Sequence, residues 1–386
     1  YPRPLLGTMA GPTVTNDYHA NGTLDAQVLT SPSGATTGAW SYSHNRWGST
    51  ESWSGTASGT FVSADIVRGG PNRYARMAWV FPGNTLSVDY DYCGDDGRLE
   101  LREYQTTVSG VKRFWYDYDH LDRITGVSFF GAPTEAYGYD DAGNITQMHL
   151  LGSVPGPMYG QGWNYSTAPR FGQIPARETN TGVVEQFFYD DVGRLQLRSM
   201  APGTPNAEIS EYVYDSASRL IEVSHSDGSG VVLWYDNDDQ VVFEERVDAA
   251  GAPENVERFG PYQERAGMQY TRVLPHVTLE GTGQLRYILG EPDGRAAWVL
   301  DAGGGLVSEQ VSTVYGLEYD SAVWGAAVNT AGKWPLGGLH GAESDVSTGV
   351  MQFGARHVTN RGDGMWMQPE PLLALGMAGG FGNPRG

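Results

Sequence analysis

The sequence predicts an all-β protein built from repeated β-hairpins. Three observations predict it: an aromatic, glycine-rich composition, a short motif that recurs along the chain, and apolar–polar alternation on both sides of each motif. The 386 residues include 53 Gly, 11 Trp and 22 Tyr, and 40% are hydrophobic. This hydrophobic content argues against low-complexity disorder, so we interpret the glycines as turn residues between many short strands.

The recurring motif is a tyrosine followed by an aspartate. It occurs in YDYCGDDGRLEL, YDYDHLDRITGV, YGYDDAGNITQM, FYDDVGRLQLRS, YVYDSASRLIEV and WYDNDDQVVFEE. The spacing is 21 residues from Tyr118 to Tyr139 and from Tyr214 to Tyr235, and 25 from Tyr189 to Tyr214. The gap of 50 residues between Tyr139 and Tyr189 fits two units with one degenerate copy around GWNYSTAPRFG. Such a period is typical of solenoids and related arrays. The repeat residues are Tyr90, Tyr118, Asp119, Tyr139, Asp140, Tyr189, Asp190, Arg194, Tyr214, Asp215, Tyr235 and Asp236.

Each unit is predicted to be one hairpin. EQFFYDD and RLQLRSM alternate between apolar and polar residues, and the DVGR that joins them supplies a turn glycine. Aspartate suits such a turn because its side chain bonds the turn backbone. We expect each tyrosine to stack on its counterpart in the next hairpin, with its hydroxyl left to form a hydrogen bond. Hairpins that bury a face only against their neighbours produce a long curved sheet.

An alternative function for the tyrosines and carboxylates is a glycan-binding strip, because aromatic faces suit pyranose rings. The two interpretations differ in the position of the tyrosines. Tyrosines buried between hairpins favour a structural array, whereas an exposed row favours glycan binding.

Charge and composition exclude several classes of partner and cofactor. The net charge of -20 argues against a nucleic-acid partner, which needs a basic footprint. No apolar run approaches the length of a membrane span. Cys93 is the only cysteine, so an intramolecular disulfide is impossible. The spacing of His340, Glu343, Asp345 and His357 matches no metal-site pattern, and we predict no metal and no cofactor.

The motif at 189–195, Tyr-Asp-Asp-Val-Gly-Arg-Leu, resembles the YD repeat of the bacterial Rhs family, which is similar to that of toxin-complex shell proteins and teneurins. A second match lies at 336–376, which resembles the Rhs-associated core segment. The core-motif residues are Gly349, Phe353, Arg356, Trp366 and Pro371. On this basis we divide the chain into a degenerate β-repeat region (1–89), a YD-repeat hairpin array (90–335), and a core segment with its tail (336–386).

The resemblance implies a β-ribbon that spirals into a hollow shell, or part of one, closed by a C-terminal core plug. Such a shell encapsulates a C-terminal toxin. The implied partners are other chains of the same processed toxin, namely an N-terminal shell part and the toxin itself, together with a secretion-system or delivery component. The implied location is secreted, with the bacterial cytoplasm before export. The alternative within this fold is a cell-surface protein that binds glycan or protein.

The resemblance also implies self-cleavage by acidic residues of the core, so a third hypothesis is an aspartyl-type autoprotease. Asp363 and Glu370 are the only acidic residues after Asp345, and they form the candidate catalytic pair. Two carboxylates that share one proton can act as base and acid. The family's Asp-Pro is Glu370-Pro371 here, and the extra methylene displaces the carboxylate. We therefore predict single-turnover self-cleavage at most, and no small-molecule catalysis, since no motif for it occurs.

The start of the chain and its length suggest a part of something larger. The first residues, YPRPLLGTMAG, contain no secretion signal, and a start at Tyr1 suggests a processed or excised piece. A dozen hairpins would make one or two turns of a spiral. The edge strands of such a partial spiral would expose unpaired backbone groups, so we expect partner chains to cover them.

Overall fold

The structure is a computed structural model that describes most of the repeat region and small parts of the C-terminal segment. The described residues are 13–30, 36–57, 60–70, 73–93, 97–107, 110–130, 132–141, 143, 145–150, 162–165, 173–179, 182–204, 207–259, 262–265, 268–274, 277–280, 284–291, 296–311, 314, 343–345, 350–353, 356–359 and 367.

The described residues form thirty strands. The first ten are β1 (Thr13–Tyr18), β2 (Leu24–Thr30), β3 (Thr36–His44), β4 (Thr50–Ala57), β5 (Thr60–Gly70), β6 (Arg73–Phe81), β7 (Asn84–Tyr92), β8 (Leu99–Thr106), β9 (Gly110–Tyr118) and β10 (Ile124–Phe129). The next ten are β11 (Ala132–Tyr139), β12 (Ile145–Leu150), β13 (Gly162–Tyr165), β14 (Ala176–Thr179), β15 (Val184–Tyr189), β16 (Leu195–Met200), β17 (Glu208–Tyr214), β18 (Leu220–His225), β19 (Gly230–Tyr235) and β20 (Val241–Val247). The last ten are β21 (Pro253–Phe259), β22 (Tyr262–Arg265), β23 (Met268–Leu274), β24 (Val277–Glu280), β25 (Leu285–Gly290), β26 (Ala296–Asp301), β27 (Leu306–Val311), β28 (Glu343–Asp345), β29 (Val350–Phe353) and β30 (Arg356–Thr359).

Strands β1 to β27 form one continuous antiparallel sheet of 27 strands. Each strand pairs with the strand before it and the strand after it in sequence, as in the pairs β9–β10 and β10–β11. Strands β28 to β30 form a separate antiparallel sheet of three strands. The described residues contain no helix, and therefore no helix that could cross a membrane. The prediction of an all-β array of hairpins is confirmed.

The motif tyrosines coincide with irregularities in strand register. The register shifts next to Tyr139, Tyr189, Tyr214 and Tyr235, in each case where the strand enters its turn. An extra residue at such a position bends the strand and increases its twist. A shift repeated in successive hairpins gives the sheet a regular curvature.

The sheet curves until its last strands pack against its early strands. Trp298 on β26 lies 5.8 Å from the ring of Trp79 on β6 and 5.7 Å from that of Tyr104 on β8. Phe81 and Tyr287 lie 5.0 Å apart, edge to face. These residues belong to one buried cluster, and Trp298, Tyr104 and Tyr287 are fully buried. In this region the concave side, here called the inner face, is filled with side chains.

Two irregular regions of the repeat follow the same plan. Strands β13 and β14 lie where the degenerate copy was predicted, and they pair with each other. In the first part of the chain, the amide of His19 donates to the carbonyl of Thr23 at 2.8 Å, and that of Asn45 donates to Ser49 at 3.0 Å. The Asp190 amide makes the same bond to Arg194 at 2.9 Å, so these turns share the hydrogen-bonding pattern of the YD turns.

Candidate functional site: the repeat ladder and the inner face

The aspartate of the motif organises its own turn. In the hairpin β15–β16, Asp190 Oδ1 accepts hydrogen bonds from the amides of Val192 at 3.1 Å and Arg194 at 2.8 Å. Its Oδ2 accepts from Arg194 Nε at 2.6 Å. Asp119 and Asp215 make the same three contacts in their turns. Asp and Arg are therefore four positions apart in the motif because the aspartate side chain closes a five-residue turn that ends at the arginine.

The environment lowers the pKa of two of these carboxyls. Desolvation acts to raise the pKa of Asp119 and Asp215, but hydrogen bonds from the amide and guanidinium of the arginine outweigh it. The net result is a pKa below the ordinary value in both residues.

The arginine of the motif connects its hairpin to the next one. Arg194 lies 4.9 Å from the ring centroid of Tyr214, and Arg219 lies 5.0 Å from that of Tyr235. Arg123 stacks in the same way on Tyr139, at 4.7 Å. We expected tyrosine to stack on tyrosine, and the structure places a guanidinium against the ring. Such a cation–π contact adds attraction to the packing.

The tyrosine hydroxyl completes the connection. Tyr214 Oη donates to the carbonyl of Leu195 at 2.8 Å, and Tyr235 Oη donates to that of Leu220 at 2.6 Å. Each acceptor is the residue directly after the arginine that stacks on the ring. Three more repeat tyrosines also donate to a backbone carbonyl of the preceding hairpin: Tyr118 to Leu99, Tyr139 to Ile124 and Tyr189 to Ile174. We call this chain of contacts the repeat ladder.

The fourth residue of the five-residue turn needs a left-handed backbone, and three repeats meet this need without glycine. Gly193 has φ of 92°, whereas Asp122, Ser218 and Asp239 have φ of 62°, 64° and 59°. Left-handed φ is strained for such residues. Each of the three accepts a hydrogen bond from the arginine of the preceding hairpin: Asp122 from Arg98 at 3.2 Å, Ser218 from Arg194 at 3.3 Å and Asp239 from Arg219 at 2.8 Å. This contact offsets the strain.

Two predicted repeat residues depart from the pattern. Tyr90 lies two positions before Tyr92, which is the strand-end residue there, and Arg73 lies 5.5 Å from the Tyr92 ring. Asp236 accepts the two turn amides but has Gln240 where the other repeats have arginine. Asp140 follows the pattern at its carbonyl, which accepts from Arg123 at 2.6 Å as the Asp215 carbonyl accepts from Arg194 at 3.3 Å.

The tyrosines of the ladder do not form a freely exposed row. Tyr118, Tyr139, Tyr189, Tyr214 and Tyr235 are half-buried, and their hydroxyls bond to the backbone. Burial raises the pKa of Tyr214 and Tyr235 above the ordinary value. By the criterion set from the sequence, this arrangement favours the structural array over a glycan-binding strip.

The inner face carries buried charges that sequence reasoning missed. Among the described residues, five cations and five carboxylates are buried: Arg102, Lys112, Arg177, Arg198, Arg246, Glu135, Glu185, Glu244, Glu291 and Glu309. These charges sum to zero, so the net charge of -20 is carried by other residues. The alternation of apolar and polar residues could have revealed these buried charges, because Lys112 and Glu185 occupy positions of their strands that face inward.

Two buried glutamates hold the closing contact between distant strands. Glu291, after β25, accepts from Tyr90 Oη at 2.7 Å and from Tyr104, and lies 3.3 Å from Arg102 Nη1. Tyr90 thus belongs to this cluster.

Glu309, on β27, forms the second closing contact. It pairs with Lys112 at 3.0 Å and accepts from Trp298 Nε1 at 2.9 Å. Burial lowers the pKa of Lys112, while the Glu309 carboxylate opposes the shift.

A third buried group lies between β14 and β16. Glu185 is paired with two arginines, Arg177 through one carboxylate oxygen and Arg198 through the other. The Glu185 side chain has no exposed surface. Arg198 Nη2 is buried and has no hydrogen-bond partner among the residues that the structure describes.

The C-terminal segment touches the inner face at one described residue. Met367 is fully buried in a cluster with Phe187, Leu195, Tyr212 and others. Its carbonyl accepts the Leu195 amide at 2.8 Å, and Tyr214 Oη lies 3.5 Å from it.

The predicted core residues lie largely outside the described part. Phe353 and Arg356 pair between β29 and β30, but their side chains are not described. Gly349, Asp363, Trp366, Glu370 and Pro371 fall outside the described residues. The described residues hold no group of three side chains able to bind a metal.

Comparison with known proteins identifies the fold. No protein-family model and no curated protein matches the chain. It is similar to the crystal structure of TcdB2-TccC3-TEV, with a TM-score of 0.56 and 15% identity over 94% of this chain and 20% of that chain. It is also similar to the Photorhabdus luminescens Tc holotoxin pore carrying a TccC3 mutation, with a TM-score of 0.54 and 14% identity over 93% of this chain and 20% of that chain. The chain thus spans about one fifth of the solved chains that it matches. The protein has an Rhs-like shell fold.

Proposed function

We propose that this chain is a wall segment of an Rhs-type YD-repeat shell, and that its role is structural: to enclose and sequester a toxin cargo. The observation that carries the proposal is the continuous 27-stranded sheet, whose inner face is buried and whose last strands pack on its early strands. The repeat ladder supports a structural role, since the aspartate closes its own turn and the arginine and tyrosine join successive hairpins.

The enclosed space would be completed by other chains. Strands β25 to β27 pack directly on β6 to β9, and aromatic side chains fill the space between them. A chamber large enough for a cargo would therefore require further strands from other chains. The partners proposed are an N-terminal shell part and a C-terminal toxin from one processed precursor, delivered outside the producing bacterium by a secretion system.

Each region defined from the sequence would form a different part of the shell. Residues 1–89 and 90–335 would supply the wall, and 336–386 would supply the plug. The contact of Met367 with the inner face supports a plug position. Self-cleavage by Asp363 and Glu370 belongs to the same proposal. A longer precursor with Glu370→Gln should remain uncut, and normal cleavage of that variant would remove Glu370 from the mechanism.

The test of the shell is the mass of the native complex. The protein is purified from its source without denaturant and weighed by native mass spectrometry, and its chains are then weighed after denaturation. We expect co-purifying polypeptides whose ends adjoin those of this chain. A lone monomer of its own mass of 41.9 kDa would contradict encapsulation.

A further inference from the structure

The side of the sheet opposite the inner face, here called the outer face, exposes large apolar side chains between β15 and β20. Phe188, Val213 and Trp234 are 50%, 43% and 42% exposed. Each of them follows a residue that is buried on the inner face, so strand alternation places it on the outer face. Exposed apolar patches with a polar border are typical of interaction surfaces.

Strand pairing makes these apolar residues neighbours. Phe188 pairs with Leu197, and Trp234 pairs with Phe243, with 5.0 Å between the ring centroids of the second pair. Val213 lies between the two pairs on β17, one diagonal step from Leu197. Diagonal neighbours are about 7–8 Å apart, within reach of large side chains. We call the following set the outer stripe: Phe188, Leu197, Val213, Val232, Trp234 and Phe243.

Three exposed carboxylates border the outer stripe. Glu211, Glu222 and Glu245 each pair directly with a residue of the stripe. Glu222 and Glu245 lie on either side of Val232. Because opposite residues on neighbouring strands are about 4.5–5.5 Å apart, these carboxylates stand beside apolar side chains.

The strands of the outer stripe place no cation on the outer face. Residues 184–247 contain four arginines and no lysine. Arg198 and Arg246 are buried on the inner face. Arg194 and Arg219 lie in YD turns, where each is paired with the aspartate of its own turn. The three carboxylates of the stripe therefore have no counter-charge on their own strands.

The outer face of β6 to β9 is balanced differently. Asp89 pairs there with Arg76 at 3.6 Å, and Glu103 pairs with Arg113. At the outer stripe, a neutral apolar partner would remove water from the bordering carboxylates without pairing them, which is costly. An occupant of the stripe must therefore supply cations as well as apolar groups. A second copy of this chain fits poorly, because its net charge is also -20.

We propose that the outer stripe is a docking surface for a polypeptide segment in which arginine or lysine alternates with apolar residues. The cations of the segment pair with Glu211, Glu222 and Glu245, and one of them stacks on the ring of Trp234. Trp234 is the central anchor, since tryptophan commonly dominates the energy of an interface. The stripe faces away from the inner face, so the inference does not depend on an enclosed cargo, and the native mass of the complex does not decide it.

The probe is a synthetic peptide that alternates arginine and leucine, and the receptor is the purified chain. Isothermal titration measures the affinity, and the NMR signal of the Trp234 indole N–H, which the peptide should shift, reports the place of binding. Trp234→Thr should weaken binding about tenfold. Glu222→Gln and Glu245→Gln should each weaken it about fivefold. All three side chains are exposed, so these variants should unfold at the same denaturant concentration as the unmodified chain.

Glu103→Gln and Phe61→Thr are the matched controls. They remove a carboxylate and an exposed ring from the outer face outside the stripe, and they should leave the affinity unchanged. The proposal is overturned if these controls weaken binding as much as the stripe variants do, because the peptide then responds only to the net charge of the chain.

Two further peptides test the chemistry of the occupant. A peptide that alternates arginine and serine lacks the apolar groups, and one that alternates glutamate and leucine lacks the cations. Equal binding of either peptide would contradict the proposal. If the chain associates with itself and Trp234→Thr abolishes that association, the occupant is a second copy and the proposal is wrong.

Discussion

The guanidinium of Arg194 lies 4.9 Å from the ring centroid of Tyr214, whose hydroxyl donates to the carbonyl of Leu195 at 2.8 Å. Arginine, tyrosine and the next peptide group thus join two successive hairpins at one point. The arginine is itself held by Asp190 in its own turn, at 2.6 Å. The conspicuous residues of the motif therefore connect hairpins in series. The tyrosine, aspartate and arginine recur together because they link successive hairpins, and not because a turn by itself needs all three.

The first prediction separates the ion pair of the turn from its backbone hydrogen bonds. Asp215→Asn keeps an oxygen for the amides of Ala217 and Arg219 but removes the charge paired with the Arg219 guanidinium. We expect a loss of about 1 kcal/mol in the free energy of unfolding, because the pair is partly exposed. The measurement is denaturant unfolding.

The matched control for this variant is Asp236→Asn. Asp236 bonds the amides of Asp238 and Gln240 in the same way but has no arginine in its turn. Its substitution should change stability by a few tenths of a kcal/mol. Equal losses for Asp215→Asn and Asp236→Asn would contradict an energetic role for the ion pair.

The second prediction concerns the pH dependence of stability. Partial desolvation of Asp215 acts to raise its pKa, but the hydrogen bonds from Arg219 outweigh it and lower the pKa below 3.8. A carboxyl with a depressed pKa in the folded state stabilises the fold above its unfolded pKa of about 3.9. That stabilisation is lost as the pH falls through the folded pKa. An NMR titration should show the low midpoint, and Arg219→Gln should raise it. A midpoint at or above the ordinary value would refute the prediction.

The third prediction isolates backbone strain at Asp239, where φ is 59°. Asp239→Gly and Asp239→Ala both remove the carboxylate that accepts from Arg219 at 2.8 Å. Only glycine adopts this φ without strain. The alanine variant should therefore be less stable than the glycine variant by about 1 kcal/mol. Thermal or chemical denaturation checks this, and equal stabilities would show that the turn relaxes.

The fourth prediction tests the contact that closes the sheet. Glu291→Gln removes the carboxylate that pairs with the buried Arg102, although Tyr90 and Tyr104 keep an acceptor. We expect a loss of about 3–5 kcal/mol in the free energy of unfolding. The control is Glu103→Gln, which breaks the half-exposed pair with Arg113 and should cost less than about 1 kcal/mol. Similar losses in the two variants would mean that the closing contact carries little stability.

The fifth prediction uses the packing of Trp40. A Cβ atom at Gly38 would lie 2.2 Å from the indole of Trp40, which is almost completely buried. Gly38→Ala should therefore displace the indole and reduce stability by about 1–3 kcal/mol. Gly126→Ala is the control, because its nearest neighbour is the movable Asp117 carboxylate at 3.2 Å. If Gly38→Ala leaves the free energy of unfolding unchanged, the Trp40 indole can move to another position at no cost.

Much of the local structure could be predicted from the sequence. Alternation and turn residues are local signals, and they predicted the hairpins, the turn aspartates and the degenerate copy at β13–β14. Tyr90 marks the limit of this reasoning. It precedes an aspartate as the motif requires, yet the turn begins after Tyr92, because the strand continues for two more residues.

The sequence by itself determined that the chain forms a series of hairpins, and which residues of each strand share a face. Only the tertiary structure decided which residues meet across the sheet. Tyr90 and Glu291 are 201 residues apart, and Lys112 and Glu309 are 197 apart. The two-residue period of a strand states which way a side chain points. The curvature added up over many hairpins decides which distant residue that side chain contacts. No local sequence pattern encodes the total curvature of the sheet.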